Sequence, residues 1–194
     1  MKPIAALLLT AALPFFASCT DGGGNTAVPR QHAYPRIALC DTVYRVALAD
    51  RVPGGLRVNA ESRVELIDST RQDGSLWFDI VYPTYGGLRI NCTYRPAADA
   101  GELRAIVANR LQRMWMNIST EAQRYTDLSK GGENLSVVLT SLSQTMTPVQ
   151  FLDVRPEGVV SGALSLEISE SSKVDSLMPV IRAIERDAKV MSNE

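Results

Sequence analysis

The sequence predicts an α+β fold, a mostly antiparallel sheet with two packed helices in the order strands, long helix, strands, helix. Three observations lead there. Apolar and polar residues alternate with a period of two in Leu76–Tyr82, Leu88–Tyr94, Pro148–Val154 and Val159–Ile168. Steps of three and four replace that period after Pro96 and again after Asp175. Links between the strands are of hairpin length, which favours antiparallel pairing over crossovers. The 194 residues are enough for one core.

Taken in order, Ile37–Leu39 reads as a first strand and Tyr44–Leu48 as a second. Pro53-Gly54-Gly55 turns the chain into the alternating stretches Leu56–Val58 and Val64–Leu66. Asp73-Gly74 is a hairpin signal before Leu76–Tyr82. That strand sets Trp77, Asp79 and Val81 on one face and Leu76, Phe78, Ile80 and Tyr82 on the other. Pro83–Gly87 turns, and Leu88, Ile90, Cys92 and Tyr94 then share one face. Asp99 is an N-cap with Glu102 at N3. The stripe Leu103, Ile106, Val107, Leu111, Met114, Trp115, Ile118, Ala122, Tyr125, Leu128 predicts a helix of about seven turns, ended by Gly131-Gly132 and buried against the sheet. Its other faces carry Arg104, Arg110, Arg113 and Arg124. Asp99, Glu102, Glu121 and Asp127 balance them, so this face reads as solvated and not as an anion site. Leu135–Leu139, Pro148–Val154 and Val159–Ile168 are strands. A last helix spans about Ser176–Val190, with Pro179 in its first turn.

The start of the chain lies outside this pattern. Lys2 precedes an apolar run, Ile4–Phe16, and Ala17-Ser18-Cys19 follows. Residues 1–18 thus read as a bacterial lipoprotein signal peptide. Lipidation is expected on Cys19, whose thiol takes diacylglycerol and whose freed amine takes a further chain such as palmitate. Two or three acyl chains make a stable anchor in a bilayer. Residues 19–33 form a polar, Gly-rich tether, and 34–194 the single domain. The expected place is the cell envelope, with the outer membrane favoured and the domain facing the periplasm. Within an oxidising compartment Cys40 and Cys92 are either a disulfide, which the even pair favours, or two buried free thiols.

Several chemistries are set aside. A net charge of −1 argues against nucleic-acid partners. The only histidine, His32, is in the tether, so no catalytic triad, cysteine–histidine pair or zinc site is expected. No phosphate-cradling Gly loop joins a strand to a helix, and no cofactor is implied. Asp79, Asp153 and Glu167 lie in strands and are expected to face solvent.

Tyr34-Pro35-Arg36, Trp77 through Tyr85 with Gly87 and Tyr94, Thr147-Pro148-Val149-Gln150-Phe151, Gly162-Ala163-Leu164, and Asp175-Ser176-Leu177 with Pro179-Val180-Ile181 and Asp187 occur in this order. In these pieces the chain resembles the gliding motility-associated lipoproteins of the GldD family. The resemblance implies an envelope lipoprotein that supports gliding motility and the linked type IX secretion machinery, as a non-enzymatic accessory or scaffold component. Its partners would be other envelope gliding or secretion proteins, and it carries over no catalytic residue. The order of elements also resembles the PsbP-like α/β sandwich. Asp41-Thr42-Val43, Asp68-Ser69-Thr70 and Asp175-Ser176-Leu177 resemble short O-glycan acceptors of the phylum with type IX secretion.

The aromatic turn Tyr82, Pro83, Tyr85 is the expected partner contact, since exposed tyrosine is favoured at interfaces; the same rings could instead close the edge of the core. The alternative function is an envelope-anchored glycan- or small-molecule-binding module, which calls for an aromatic-lined concave pocket. A hydrolase would need two carboxylates converging in a cleft.

Overall fold

A computed structural model describes residues 38–68, 72–116, 123–127, 135–141, 146–166 and 174–192. Strands β1 (Tyr44–Ala47) and β2 (Leu56–Asn59) pair as a separate antiparallel hairpin. The main sheet contains β3 (Arg63–Asp68), β4 (Leu76–Tyr82), β5 (Leu88–Pro96), β6 (Gln123–Asp127), β7 (Ser136–Ser141), β8 (Val149–Arg155) and β9 (Gly158–Ser165). Their spatial order is β3-β4-β5-β9-β8-β7-β6, and every neighbouring pair is antiparallel. Two meanders, β3-β4-β5 and β6-β7-β8-β9, are thus joined edge to edge by the β5–β9 ladder. Helices α1 (Ala100–Met116) and α2 (Val174–Met191) complete the expected order.

Alternation sends the two faces of the sheet into two cores. On one face Phe78, Ile80, Ile90, Phe151 and Leu164 pack with Val180, Ile181 and Ile184 of α2 and with Leu56 and Val58 of β2. On the other, Val137, Leu139, Leu152, Val154 and Val159 pack with Ile106 and Met114 of α1. The α1 core is smaller and lies only under the β7-β8-β9 half. The same face of the β3-β4-β5 half carries Glu65, Asp79, Arg89, Asn91 and Thr93, in register across the strands.

The cap on α1 forms as expected. Asp99 Oδ1 accepts from the N–H groups of Gly101 at 2.7 Å and Glu102 at 2.8 Å, and Glu102 Oε2 accepts from Ala98 N–H at 2.9 Å. The two N–H donors hold the Asp99 carboxyl below its ordinary value. The helix does not run the expected length. It ends at Met116, and Gln123–Asp127 forms an edge strand on β7. Tyr and Thr favour strand, and pairing with an otherwise open edge outweighs a local 3.6-residue period. Trp115, expected in the buried stripe, is 48% exposed. Leu39, expected in a first strand, is in no regular element, and Ile37 lies outside the described residues. Helix α2 begins at Val174, so Pro179 lies past the first turn, inside the helix, where it has no N–H to give to the helical ladder.

One small residue sets the centre of the sheet. Gly162 on β9 lies between Cys92 on β5 and Phe151 on β8. A Cβ there would run into the Phe151 ring and stand 2.9 Å from Cys92 Sγ. The ring occupies the space that the glycine leaves. Gly162→Val is therefore expected to cost about 1–3 kcal/mol by overpacking. Thermal unfolding should show a loss of roughly 2–4 °C for each kcal/mol. An unchanged melting temperature would disprove this account of the packing.

Candidate functional site

The aromatic turn is where the segment nearest the expected anchor joins the fold. Tyr82, Pro83 and Tyr85 follow β4 into a short 3-10 turn. Tyr82 and Tyr85 stack with ring centroids 5.5 Å apart. Cys40 N–H donates to Tyr85 Oη at 2.9 Å, and Asp41 N–H donates to Glu61 Oε1 at 2.8 Å. Thr84 Oγ1 donates to Glu61 Oε2 at 3.2 Å, and Asn59 Nδ2 to the Asp41 carbonyl at 2.8 Å. The turn is thus a clasp for residues 40 and 41. It does not present its rings as the expected partner contact. Tyr82 is fully buried and Tyr85 is 7% exposed, leaving Pro83 and Thr84 at the surface. The strand's inward face simply continues through Tyr82 into the turn.

Beneath the clasp is a buried carboxylate that sequence reasoning did not single out as a site. Asp187 of α2 is fully buried. Its Oδ1 accepts from Tyr44 Oη at 2.9 Å and from Arg186 Nε and Nη2 at 3.1 and 3.0 Å. Tyr82 Oη lies near Asp187, yet neither Tyr82 Oη nor Asp187 Oδ2 has a hydrogen-bond partner of good geometry. Burial pushes the Tyr82 phenol well above its ordinary value, and the Asp187 charge adds to the shift. Burial raises Tyr85 and Tyr44 too. The cluster ties β1, β4 and α2 together, and its charge is internally paired.

Cys40 and Cys92, expected as a disulfide or as two buried thiols, belong to this same core, where both are buried and no bond joins them. Burial raises the Cys92 thiol well above its ordinary value, followed by the nearby Asp79 charge.

The carboxylates expected to face solvent are instead engaged. Asp79 is 4% exposed; its Oδ1 accepts from Asn91 Nδ2 at 2.9 Å and its Oδ2 from Arg89 Nη1 at 3.2 Å. Glu65 Oε2 takes the same guanidinium at 2.9 Å, and the two carboxylates raise the Arg89 pKa. Asp153 is also 4% exposed, on the α2 face, where it accepts from Ser136 Oγ at 2.8 Å and Arg155 Nε at 2.7 Å. Arg155 Nη1 reaches on to the carbonyls of Pro53 and Gly55 at 2.6 and 2.5 Å, fastening the β1–β2 loop to the sheet. The two aspartates are on opposite faces and do not converge; Glu167 lies outside the described residues. Among the described residues no group of three His, Cys, Asp or Glu is placed to hold a metal.

A cavity of about 550 Å³ is lined by Leu39 and by Met178, Pro179, Arg182, Ala183 and Arg186 of α2, and smaller ones lie on the α1 face. The first of these, of about 260 Å³, is lined by Asn91, Thr93, Gln150, Ser161, Arg110 and Arg113. A second of about 290 Å³ shares both arginines and adds Arg95 and Glu102. A third, of about 400 Å³, continues past Asn91 and Ser165 to Gly86 and Gly87. Ser165 Oγ donates to Asn91 Oδ1 at 2.6 Å, which fixes the amide between the first and third. The first cavity is also lined by Met114, Phe151 and Ala163 and the third by Tyr85 and Leu88, so arginines and hydrogen-bonding groups share the lining with apolar side chains. Cys19 lies outside the described residues. Of the three acceptor-like motifs, Thr42 is exposed just before β1, Ser69 and Thr70 lie outside the described residues, and Ser176 falls within α2.

The model of the family described as "Gliding motility lipoprotein GldD" matches residues 24–193. No curated protein and no solved structure matches the chain.

Three outcomes follow from this geometry. The phenols of Tyr44, Tyr82, Tyr85 and Tyr94 are all raised on folding, so their contribution is present below the ordinary phenol pKa of about 10 and is lost as pH rises beyond it. Denaturant melts should show stability falling above that pH, and phenolate absorbance should lag behind that of free tyrosine. Tyr44→Phe removes a donor from a buried carboxylate and should cost about 1–3 kcal/mol, whereas Tyr82→Phe removes an unpaired hydroxyl and should cost clearly less. Alkylation of the native chain should leave Cys92 unmodified, and alkylation after denaturation without reductant should label both Cys40 and Cys92 by intact mass. A mass showing neither labelled would restore the disulfide.

Proposed function

The chain belongs to the gliding motility lipoprotein GldD family, and from that membership we propose that it is an envelope lipoprotein held by acylated Cys19 that acts as a non-enzymatic accessory or scaffold of the gliding and type IX secretion machinery. The family match over residues 24–193 carries this reading. The lipoprotein-type start, Ala17-Ser18-Cys19, agrees with it. In the proposed arrangement the acyl chains hold the protein on a bilayer, with the outer membrane favoured and the folded domain in the periplasm. Residues 19–33 serve as the tether between anchor and domain. The family name fits contacts with other motility or secretion components.

The internal pairing of charges supports a role without catalysis. Asp79, Asp153, Glu185 and Asp187 are buried, and each accepts a hydrogen bond from a basic side chain. A general acid or base must instead meet substrate with a proton to give or take. With the tyrosines of the aromatic turn buried, a partner would meet the outer surface of the sheet and helices. Exposed apolar side chains such as Trp77, Trp115 and Met116 supply contact area there.

Crosslinking in intact cells tests the reading. Mild-detergent purification should recover motility or secretion subunits with the native chain and lose them with Cys19→Ala, which removes the acylated thiol. Recovery of the protein alone from both strains would overturn the scaffold assignment.

A further inference from the structure

The arginines of α1, balanced by carboxylates on sequence grounds, form no ion pair among the described residues. Arg110 and Arg113 are one helical turn apart and line both cavities between α1 and the sheet. Arg95 of β5 joins them in the second cavity. None of the three has a salt bridge or side-chain hydrogen bond to a described residue, in contrast to Arg89, Arg155 and Arg186. Glu102, which also lines the second cavity, accepts the Ala98 N–H as part of the helix cap. Arg110 is partly withdrawn from water, and burial lowers its pKa first, the charges of Arg113 and Arg95 after it. A guanidinium that loses hydration without gaining a counter-charge is unfavourable, and an anion would remove that penalty.

The rest of the first cavity is neutral, with the hydrogen-bonding groups of Asn91, Thr93, Gln150 and Ser161 beside the apolar Met114, Phe151 and Ala163. Thr93 and Ser161 are directly opposed on β5 and β9, and their hydroxyls bond to no described residue. Gln150 extends toward the last turn of α1, its Nε2 3.4 Å from the Met114 carbonyl. Arginine forks match phosphate oxygens in paired hydrogen bonds, and hydroxyl and amide groups suit the hydroxyls of a polyol. At about 260 and 290 Å³ each cavity is just below the usual range for ligand sites, and the two adjoin through Arg110 and Arg113.

We propose that the groove between α1 and the β5–β9 strands binds the phosphate monoester of a polyol, with Arg110, Arg113 and Arg95 around the phosphate and Thr93, Ser161 and Gln150 toward the hydroxyls. The proposal stands independently of the scaffold reading, since it concerns a small ligand and not a protein partner. The ester could come from a sugar phosphate or from a lipid whose headgroup ends in a phosphate monoester, which share this chemistry.

Calorimetry on the full-length chain in non-ionic detergent tests it with four probes: glucose 1-phosphate, glycerol 3-phosphate, inorganic phosphate and glucose. The two esters should bind more tightly than inorganic phosphate, and glucose should not bind. Whichever ester is favoured distinguishes the sugar from the headgroup source. Arg110→Gln should weaken ester binding about tenfold or more, Arg113→Gln should weaken it in the same direction, and added salt should weaken it in the native chain. Without ligand, Arg110→Gln should melt no lower than the native chain, because it removes an unpaired cation. Absence of ester binding, equal binding of inorganic phosphate, or binding that survives both substitutions would overturn the proposal. A lower melting temperature for unliganded Arg110→Gln would do the same by making Arg110 a structural residue.

Discussion

The β5–β9 ladder is the constraint on which the remaining structure depends. It aligns Arg89–Pro96 with Gly158–Ser165 and makes one seven-stranded sheet out of two meanders. The strands it joins are distant in the chain; Asn91 and Ser165, bonded across the sheet, are 74 residues apart. Such pairing must overcome the entropy of closing a long loop before its contacts form. Close backbone approach makes it feasible. Gly162 admits the Phe151 ring beside Cys92, and a Cβ at Gly158 would collide with the Arg95 carbonyl and lie 2.8 Å from Pro96 Cα. Slipping the register by one residue would turn Ile90, Cys92 and Tyr94 out of the α2 core.

Joined in this way, the sheet divides its work between two faces. The α2 face is closed by a helix, a hairpin and the segment at Cys40, and buried polar groups tie these pieces together. Arg155 bridges Asp153 to the loop carbonyls of Pro53 and Gly55, while Asp187 bridges Tyr44 to α2. Each such charge is costly to bury alone, so its partners fix where the hairpin and helix rest. The α1 face is only half covered. Its helix ends at Met116, and the polar ladder from Glu65 through Asp79 and Asn91 to Ser165 runs on beyond it.

The segment at Cys40 and Asp41 is clasped by Tyr85, Glu61 and Asn59 on the closed side. The two cavities lined by Arg110 and Arg113 lie beside α1, across the sheet from that core. The buried carboxylates are paired with basic side chains, and the α1 groove presents guanidiniums that have no ion pair among the described residues. Family membership supplies the motility context, and the groove adds a small-ligand chemistry that the context alone does not imply.

By itself the sequence determined what depends on neighbours along the chain. Period-two alternation located Leu76–Tyr82 and the inward face of Leu88–Tyr94, and Asp99 with Glu102 located the start of α1, because side-chain direction and capping act over a few residues. The family resemblance was legible from short motifs in order, and the model match agrees with it. Tertiary structure alone decided the outcomes that depend on distant partners. A free sheet edge turned Gln123–Asp127 from expected helix into strand β6. The inward face of β4 buried the Tyr82 and Tyr85 rings, and Asp79 and Asp153 were buried against arginines instead of facing solvent. Arg110 and Arg113 were balanced by charge count but not in space, because Coulombic pairing depends on distance, which a sequence does not contain.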